Sequence, residues 1–562
     1  MQFIHLPQEI TQHIIEFVPD DDLAALESVS RELNRLTNDP LLWRGRCHRF
    51  KYWENSWHPY STGPDGQYQA LQSWKRVFFR RIKLDREAQR LLEKVVVSPS
   101  KRIRYTEKIA DYGYDVKDYL IKQLETPESA TDWLARRFHA SSTLSYIHRQ
   151  RAIRCWSTLL TTQQTSLEIA ISSFDLFVID NFAFDNEQIQ NLLTAMCDDI
   201  LRLQRDFPRQ SIQERAVGIV SYMRSLGFLG CPQERFHDLV NCFIGISMRT
   251  TKSTLPITSC SIFCSLAKKL GLEARPCAYP YHVYALVRET ESSHFYVNPH
   301  DSIDIVLQPE LEKRLEEIGV TITSDTISKY LYPATTKELV LRNARNILRN
   351  TPRARRQLLD EQPDDPGINI DAAEYAALFA IALLSNTWTT RILEPLCRCL
   401  QESFPLDVGL IEKYIVPLAG PSSRPARLLQ TICIALRNED GMLRKPKLRS
   451  LAENRGVLFR IGTIFKHRRY SYQAVITGWT VNMAYEGLDI EEGELQKGLM
   501  QPFYRVMVDD LSIRYVAQEN ILEQHPVSAG RLSNILAGRY FRRFNSLDGR
   551  FVSNMKEEYP DD

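Results

Sequence analysis

The chain has little net charge, no long apolar run and no closely spaced cysteine framework, and each shortage removes a class of function. With 71 Lys+Arg against 69 Asp+Glu, a formal charge of +2 supplies no global field to draw the protein onto nucleic acid or anionic lipid. The longest apolar run, Ala376 to Leu384, has nine residues, well short of the roughly 20 a membrane helix requires; no membrane partner is expected. Of the eleven cysteines the closest pair is Cys397 and Cys399, without a second pair or a histidine set at zinc spacing, so no metal is expected. No phosphate-cradling glycine loop is present either, and no cofactor is expected. Nothing at the N-terminus reads as a secretory signal, so the expectation is reduced thiols in cytosol or nucleus.

What is present is ordinary globular sequence: 562 residues, 43% hydrophobic and 25% charged, enough for three or four domains at about 150 residues each. The first fifty residues contain "LPQEITQHIIEFVPDDDLAALESVSRELNRLTNDPLLWRGRC". Pro7 suits a first helical position, and Ile10, Ile14, Phe17 and Val18 follow at helical spacing. Asp20 or Asp21 can cap a second helix bearing Leu23, Leu26 and Val29, and Pro40 starts a third ahead of Leu41, Leu42 and Trp43. Three such short helices share too little core to stand alone. The order Leu-Pro, helix, Asp-Leu, Val-Ser-Arg, Asp-Pro-Leu-Leu-Trp resembles the F-box. The resemblance implies that Leu6, Pro7, Ile10, Ile14, Leu23, Val29 and Trp43 lie in or against a surface that docks on a Skp-type adaptor, and through it on a cullin scaffold.

From Lys75 to Lys108 there are 12 Lys+Arg and 4 Asp+Glu, a run that reads as the solvated face of a helix with Val, Phe and Leu beneath. "WHPYSTGPDGQY", before it, reads as a loop.

In the middle of the chain, "LPITSCSIFCSLAKKLGL" reads as a helix starting near Pro256 and stopping at Gly271, followed by the short extended segments "YHVYALV" and "HFYVNPH". Helices followed by strands suggest an α+β layer. Cys260, His282 and Asn298 are the residue types of a nucleophile, its base and the group that orients the base. Cys260 and Cys264 also flank the apolar arc of their helix and read equally as core thiols. Gly227 to Gly230, Asn241-Cys242, Thr254 to Thr258 and Tyr279 to His282 resemble the SirB-type transglutaminase-like family over roughly 165–350. Anchored on Gly271, that family's nucleophile falls near Pro256 or Ile257, a turn before Cys260. Its Pro-Gly-His is here Pro280-Tyr281-His282, and the aspartate of its Asp-Pro is Asn298. Those departures imply the fold without the chemistry, hence no catalytic residue.

At the C-terminal end the period changes to two. "YRVMVDDLSIRYV" reads as a β-hairpin turning at Asp509-Asp510 within a small bent sheet or barrel. "FRIGTIFKHRRYSYQAVITGW", "QPFYRVMVDD", "GRYFRRF" and "EEYPDD" resemble the HspQ/YccV-like family, often called hemimethylated-DNA-binding. Leu511 stands where that family commonly has Gly, and "NMAYEGLDIEEGELQKGLM" reads as a variable loop. Residues 455–562 carry 14 Lys+Arg and 14 Asp+Glu, so DNA binding is the less favoured reading and protein recognition the favoured one. Lys466, Arg468, Arg469, Arg539, Arg542 and Arg543 are the residues that would form a patch for either partner.

The expected architecture is multidomain: an α-helical F-box (1–50), a helical connecting region (51–164), an α+β transglutaminase-like body (165–350) with a helical extension (351–437), a linker (438–455) and a small all-β barrel-like domain (456–562). The three-part order resembles a group of eukaryotic F-box-only proteins. It implies a substrate receptor of a Skp/cullin/F-box ubiquitin ligase, with the substrate unknown.

Overall fold

The structure, a computed structural model, describes residues 6–54, 73–162, 165–179, 182, 184–359, 368–385, 388–420, 423–481, 498, 500–526 and 528–562. The loop read at 57–68 and nearly all of the one read at 482–500 lie outside the described residues. The chain divides into two compact units, Met1–Leu144 with Asp440–Asp562, and Ser145–Glu439.

In the first unit, four short helices open the chain: α1 (Gln8–Glu16), α2 (Leu23–Val29), α3 (Arg31–Thr37) and α4 (Pro40–Cys47). The sequence suggested three. Ser30 makes the difference: its backbone is extended at φ −154°, and its hydroxyl accepts from Leu33 N at 3.2 Å to cap α3. Neither Asp20 nor Asp21 caps α2. Asp22 occupies that position without a side-chain bond, while Asp20 takes the guanidinium groups of Arg46 and Arg49 and Asp21 pairs with Arg86 at 2.8 Å.

The helices do not finish their own core. Ile15, Leu23, Leu33, Leu36, Leu42, Trp43 and Cys47 pack with Val77 and Phe78 from α5 (Trp74–Val97), which closes the deficit a 40-residue helical segment carries. The basic run on α5 is a solvated face with one exception. Arg81 is buried, held by the Tyr52 carbonyl at 2.7 Å and by Asp115 and Asp118 at 3.2 and 2.8 Å, the pairing a buried cation requires.

The second unit holds the antiparallel sheet β1 (Ala274–Cys277), β2 (Tyr284–Arg288), β3 (His294–Val297) and β4 (Ile305–Val306), in that order. Helix Pro256–Lys269 packs on it and is buried along nearly its whole length. The helix ends where the sequence suggested, with Gly271 at φ +78°. Helices Thr336–Leu359 and Ile370–Leu384 pair with each other.

The C-terminal part of the first unit is antiparallel sheet: β5 (Ile464–His467), β6 (Gln473–Thr480), β7 (Phe503–Val508), β8 (Ile513–Ala517) and β9 (Ile521–Gln524), in the order β8-β7-β6-β5-β9. A separate hairpin, β10 (Phe541–Asn545) and β11 (Arg550–Ser553), folds onto the same core through Phe541 and Phe551. The strand order is open, ending at β8 and β9. The β7–β8 turn keeps a left-handed residue, Leu511 at φ +67°, in backbone that glycine takes without strain.

Candidate functional site

Three groups of residues carry the sequence expectations, and the structure treats each differently. In the helical segment, the residues expected to dock an adaptor separate into two sets. Leu23 and Trp43 are core, and Trp43 also donates its indole N–H to the Thr37 carbonyl at 2.7 Å. Pro7, Ile10, Ile14 and Val29 are exposed and Leu6 is half-buried. Helix α1 reaches the core through Thr11 and Ile15, which leaves Ile10 49% and Phe17 75% exposed, with Val29 and Leu41 outward as well.

In the sheet of the second unit, strand register builds the histidine pair. Ala285 on β2 faces Val297 on β3, so the residues just before β2 and just after β3 come together, and His282 Nε2 meets Asn298 Oδ1 at 2.9 Å. That oxygen also accepts from the backbone N–H of His300 and Asp301, both at 3.3 Å. It is therefore an acceptor, and the His282 proton sits on Nε2. Burial pulls His282 below the ordinary histidine value, with the Asn298 bond opposing.

The expected nucleophile does not join this pair. Cys260 is fully buried, and the hydrogen-bond partner of its sulfur is Cys264, at 3.8 Å. Burial, then the neighbouring Cys264, pushes its thiol well above the ordinary value. Of the two readings open for Cys260, the burial favours the core thiol.

Sequence reading missed a different group. Cys231 Sγ lies 3.7 Å from His300 Nε2, and His300 Nδ1 lies 2.6 Å from Asp301 Oδ1. The other Asp301 oxygen accepts from Asn298 Nδ2 at 3.0 Å and stands 3.8 Å from His282 Nε2. The His300 hydrogen bond, with Asn298 and His282 behind it, holds the Asp301 carboxyl well below the usual carboxylate range. Burial, with the charges of Asp301 and Asp238 adding, pushes the Cys231 thiol up to about 11. A separation of 69 residues between thiol and imidazole leaves no local pattern to read; the glycines of "GFLGC" are the one signal in the sequence. Among the described residues no group of three or more His, Cys, Asp and Glu is arranged to hold a metal ion, and no helix is long and apolar enough to cross a membrane.

The basic residues of the C-terminal sheet keep two kinds of company. Lys466 on β5 and Arg468 and Arg469 in the β5–β6 turn are exposed, and His467, at the end of β5, stacks on Tyr470 and Tyr472 at 4.9 and 4.8 Å. Arg539 follows Gly538, whose position abuts the Leu134 carbonyl and Phe138. Its charge helps to lower the buried Arg102 guanidinium, an effect led by burial. Arg542 and Arg543 are half-buried on β10, with Arg542 donating to Asn554 at 3.4 Å.

Three family models match the chain: F-box-like at residues 3–49, the transglutaminase-like superfamily at 187–345, and hemimethylated DNA-binding protein YccV like at 457–547. The three resemblances read from the sequence are thus shown, as is the multidomain architecture of helical, mixed and antiparallel-sheet parts. Curated relatives include the F-box only protein 21 of Homo sapiens and that of Mus musculus, each 40% identical over 121 residues, 21% of this chain and 19% of the relative. The match thus spans about a fifth of those proteins' length. Among solved structures, a crystal structure of menin that reveals the binding site for Mixed Lineage Leukemia protein is similar at 9% identity, covering 50% of this chain and 73% of that one with a TM-score of 0.22. A likeness at that score carries no weight.

Proposed function

We propose that this chain, which carries F-box-like, transglutaminase-like and YccV-like parts, is the substrate-receptor subunit of a Skp/cullin/F-box ubiquitin ligase. The observation that carries the reading is the set of exposed apolar side chains on α1 to α4: Ile10, Ile14, Phe17, Val29 and Leu41 stay exposed, although the same helices satisfy their core through α5. A surface that keeps its apolar residues outward after its core is complete is built for a partner. An adaptor of the Skp type is the occupant, and the cullin scaffold follows through it. The transglutaminase-like body and the YccV-like sheet present the target. The contribution to ubiquitin transfer is proximity: a lysine held near a charged ubiquitin carrier reacts at a raised effective concentration.

Co-purification of the full chain with a Skp-type adaptor, wild type against Pro7→Ala/Ile10→Asp, tests this. Both residues are exposed, so the double variant keeps its fold and loses the adaptor. A folded wild type that retains no adaptor refutes the reading.

A further inference from the structure

Of eleven cysteines nine are buried; Cys155 and Cys231 are the two that solvent reaches. Cys231 has company that Cys155 lacks. The loop that carries it is shaped for close approach: Gly227 and Gly230 are at φ +95° and +80°, and a Cβ on Gly230 would lie 2.6 Å from the His300 carbonyl oxygen and 3.0 Å from the His300 ring. No other residue type fits there without moving the histidine. The Asp301 carboxylate accepts from His300 Nδ1 at 2.6 Å. Nδ1 is thus the donor to Asp301, and in the neutral ring the lone pair lies on Nε2, 3.7 Å from the Cys231 sulfur. Asn298, through its own bond to Asp301, holds the carboxylate in turn. One residue before His282, Tyr281 takes a left-handed backbone at φ +60° with its ring 86% exposed.

We propose that Cys231, His300 and Asp301 form a thiol site, apart from Cys260 and joined through Asp301 to the His282–Asn298 pair, that accepts acyl groups from activated esters and thioesters. The resting group is the thiol, so the nucleophile forms during attack. His300 Nε2 takes the Cys231 proton as the sulfur bonds to the acyl carbon. The bond from that carbon to the ester oxygen or thioester sulfur breaks, and the leaving group departs with the electron pair and receives the proton from His300. Water then attacks the acyl-sulfur bond with His300 again as base, releasing the carboxylic acid and restoring the thiol. Asp301 is a positioning residue, acting through the imidazole.

The test uses the full chain and p-nitrophenyl acetate, with peptide mass spectrometry locating the acetyl group. Cys231 acetylates at least about tenfold faster than Cys155, and His300→Ala lowers the Cys231 rate by about 100-fold, the span of a general base. Added free imidazole restores part of that loss, which a merely structural histidine would not show. Asp301→Asn slows the reaction, and Asp301→Glu, which keeps the charge, recovers most of it. Thermal melting checks each fold; where His300→Ala does not fold, His300→Gln and Asp301→Asn give the same reading. Equal acetylation of Cys231 and Cys155, or a Cys231 rate untouched by the folded His300 and Asp301 variants, overturns the proposal.

Discussion

Trp43 packs its ring on Phe78 with centroids 5.3 Å apart, joining the fourth helix to the fifth. The F-box-like segment is therefore completed by the chain that follows it, and its two faces respond to different substitutions. Trp43→Ala removes a fully buried ring and costs about 3–5 kcal/mol. Phe17→Asp changes an exposed position and costs less than about 0.5 kcal/mol, yet abolishes adaptor association. Urea unfolding paired with adaptor pull-down separates the two; a Phe17→Asp chain that unfolds early would mean the residue belongs to the core.

Arg149 holds both oxygens of Asp407, at 2.6 and 2.7 Å, within the second unit, and its guanidinium lies over Phe404 at 5.2 Å. Both side chains are buried. Arg149→Met strands a buried carboxylate and costs about 3–5 kcal/mol, whereas Arg149→Met with Asp407→Leu recovers most of that loss. Chemical denaturation of the two singles and the double closes the cycle, and an additive double mutant would contradict the pairing.

Asp175 is fully enclosed, with one oxygen accepting from Ile246 N at 3.2 Å, and burial raises its carboxyl from 3.8 to about 8. The folded state therefore binds this proton more tightly than the unfolded chain. Its stabilising contribution is complete below about pH 4 and is lost as pH rises through 8. Asp175→Asn keeps an acceptor for Ile246 and cannot ionise. Relative to wild type it gains stability as pH rises from 4 to 8, by up to about 1.4 kcal/mol for each unit crossed. Urea midpoints at several pH values read the slope, and parallel curves would place Asp175 in contact with water.

Gly230 and Tyr281 both sit at positive φ in the second unit, with opposite consequences. Gly230→Ala pushes a methyl group against the His300 carbonyl and destabilises by about 2 kcal/mol or more. Tyr281→Gly releases left-handed strain of about 1–2 kcal/mol, offset by the flexibility glycine adds to the unfolded chain, so its stability rises slightly or stays level. A fall in melting temperature for Tyr281→Gly would show that the exposed ring holds the turn.

Lys466 on β5 and Arg468 and Arg469 in the turn after it are exposed basic residues on a part of the chain with no net charge. The full chain gives no salt-dependent mobility shift with duplex DNA at physiological ionic strength. A shift lost on Arg468→Ala/Arg469→Ala would replace protein recognition with DNA binding.

Local pattern was enough for much of this molecule. Helical spacing after Pro256 and the stop at Gly271 defined the central helix, the Val506/Val508 alternation defined the β7–β8 hairpin, and the arc around Cys260 already marked it as a core thiol beside its catalytic reading. The pairing of His282 with Asn298 was also legible, from the residue types that a base and its orienting group require. Helical periodicity could not tell which side of α1 faces water, because Ile10 and Ile15 are equally apolar and the choice rests on where α1 packs against α3 and the shared core. Nor could it bury Arg81 out of a basic run, since only the fold brings Asp115 and Asp118 to it. Cys231 and His300 meet because the tight loop at Gly230 brings the chain against the His300 carbonyl and ring. Such a contact is set by three-dimensional closure, and no spacing along the chain encodes it.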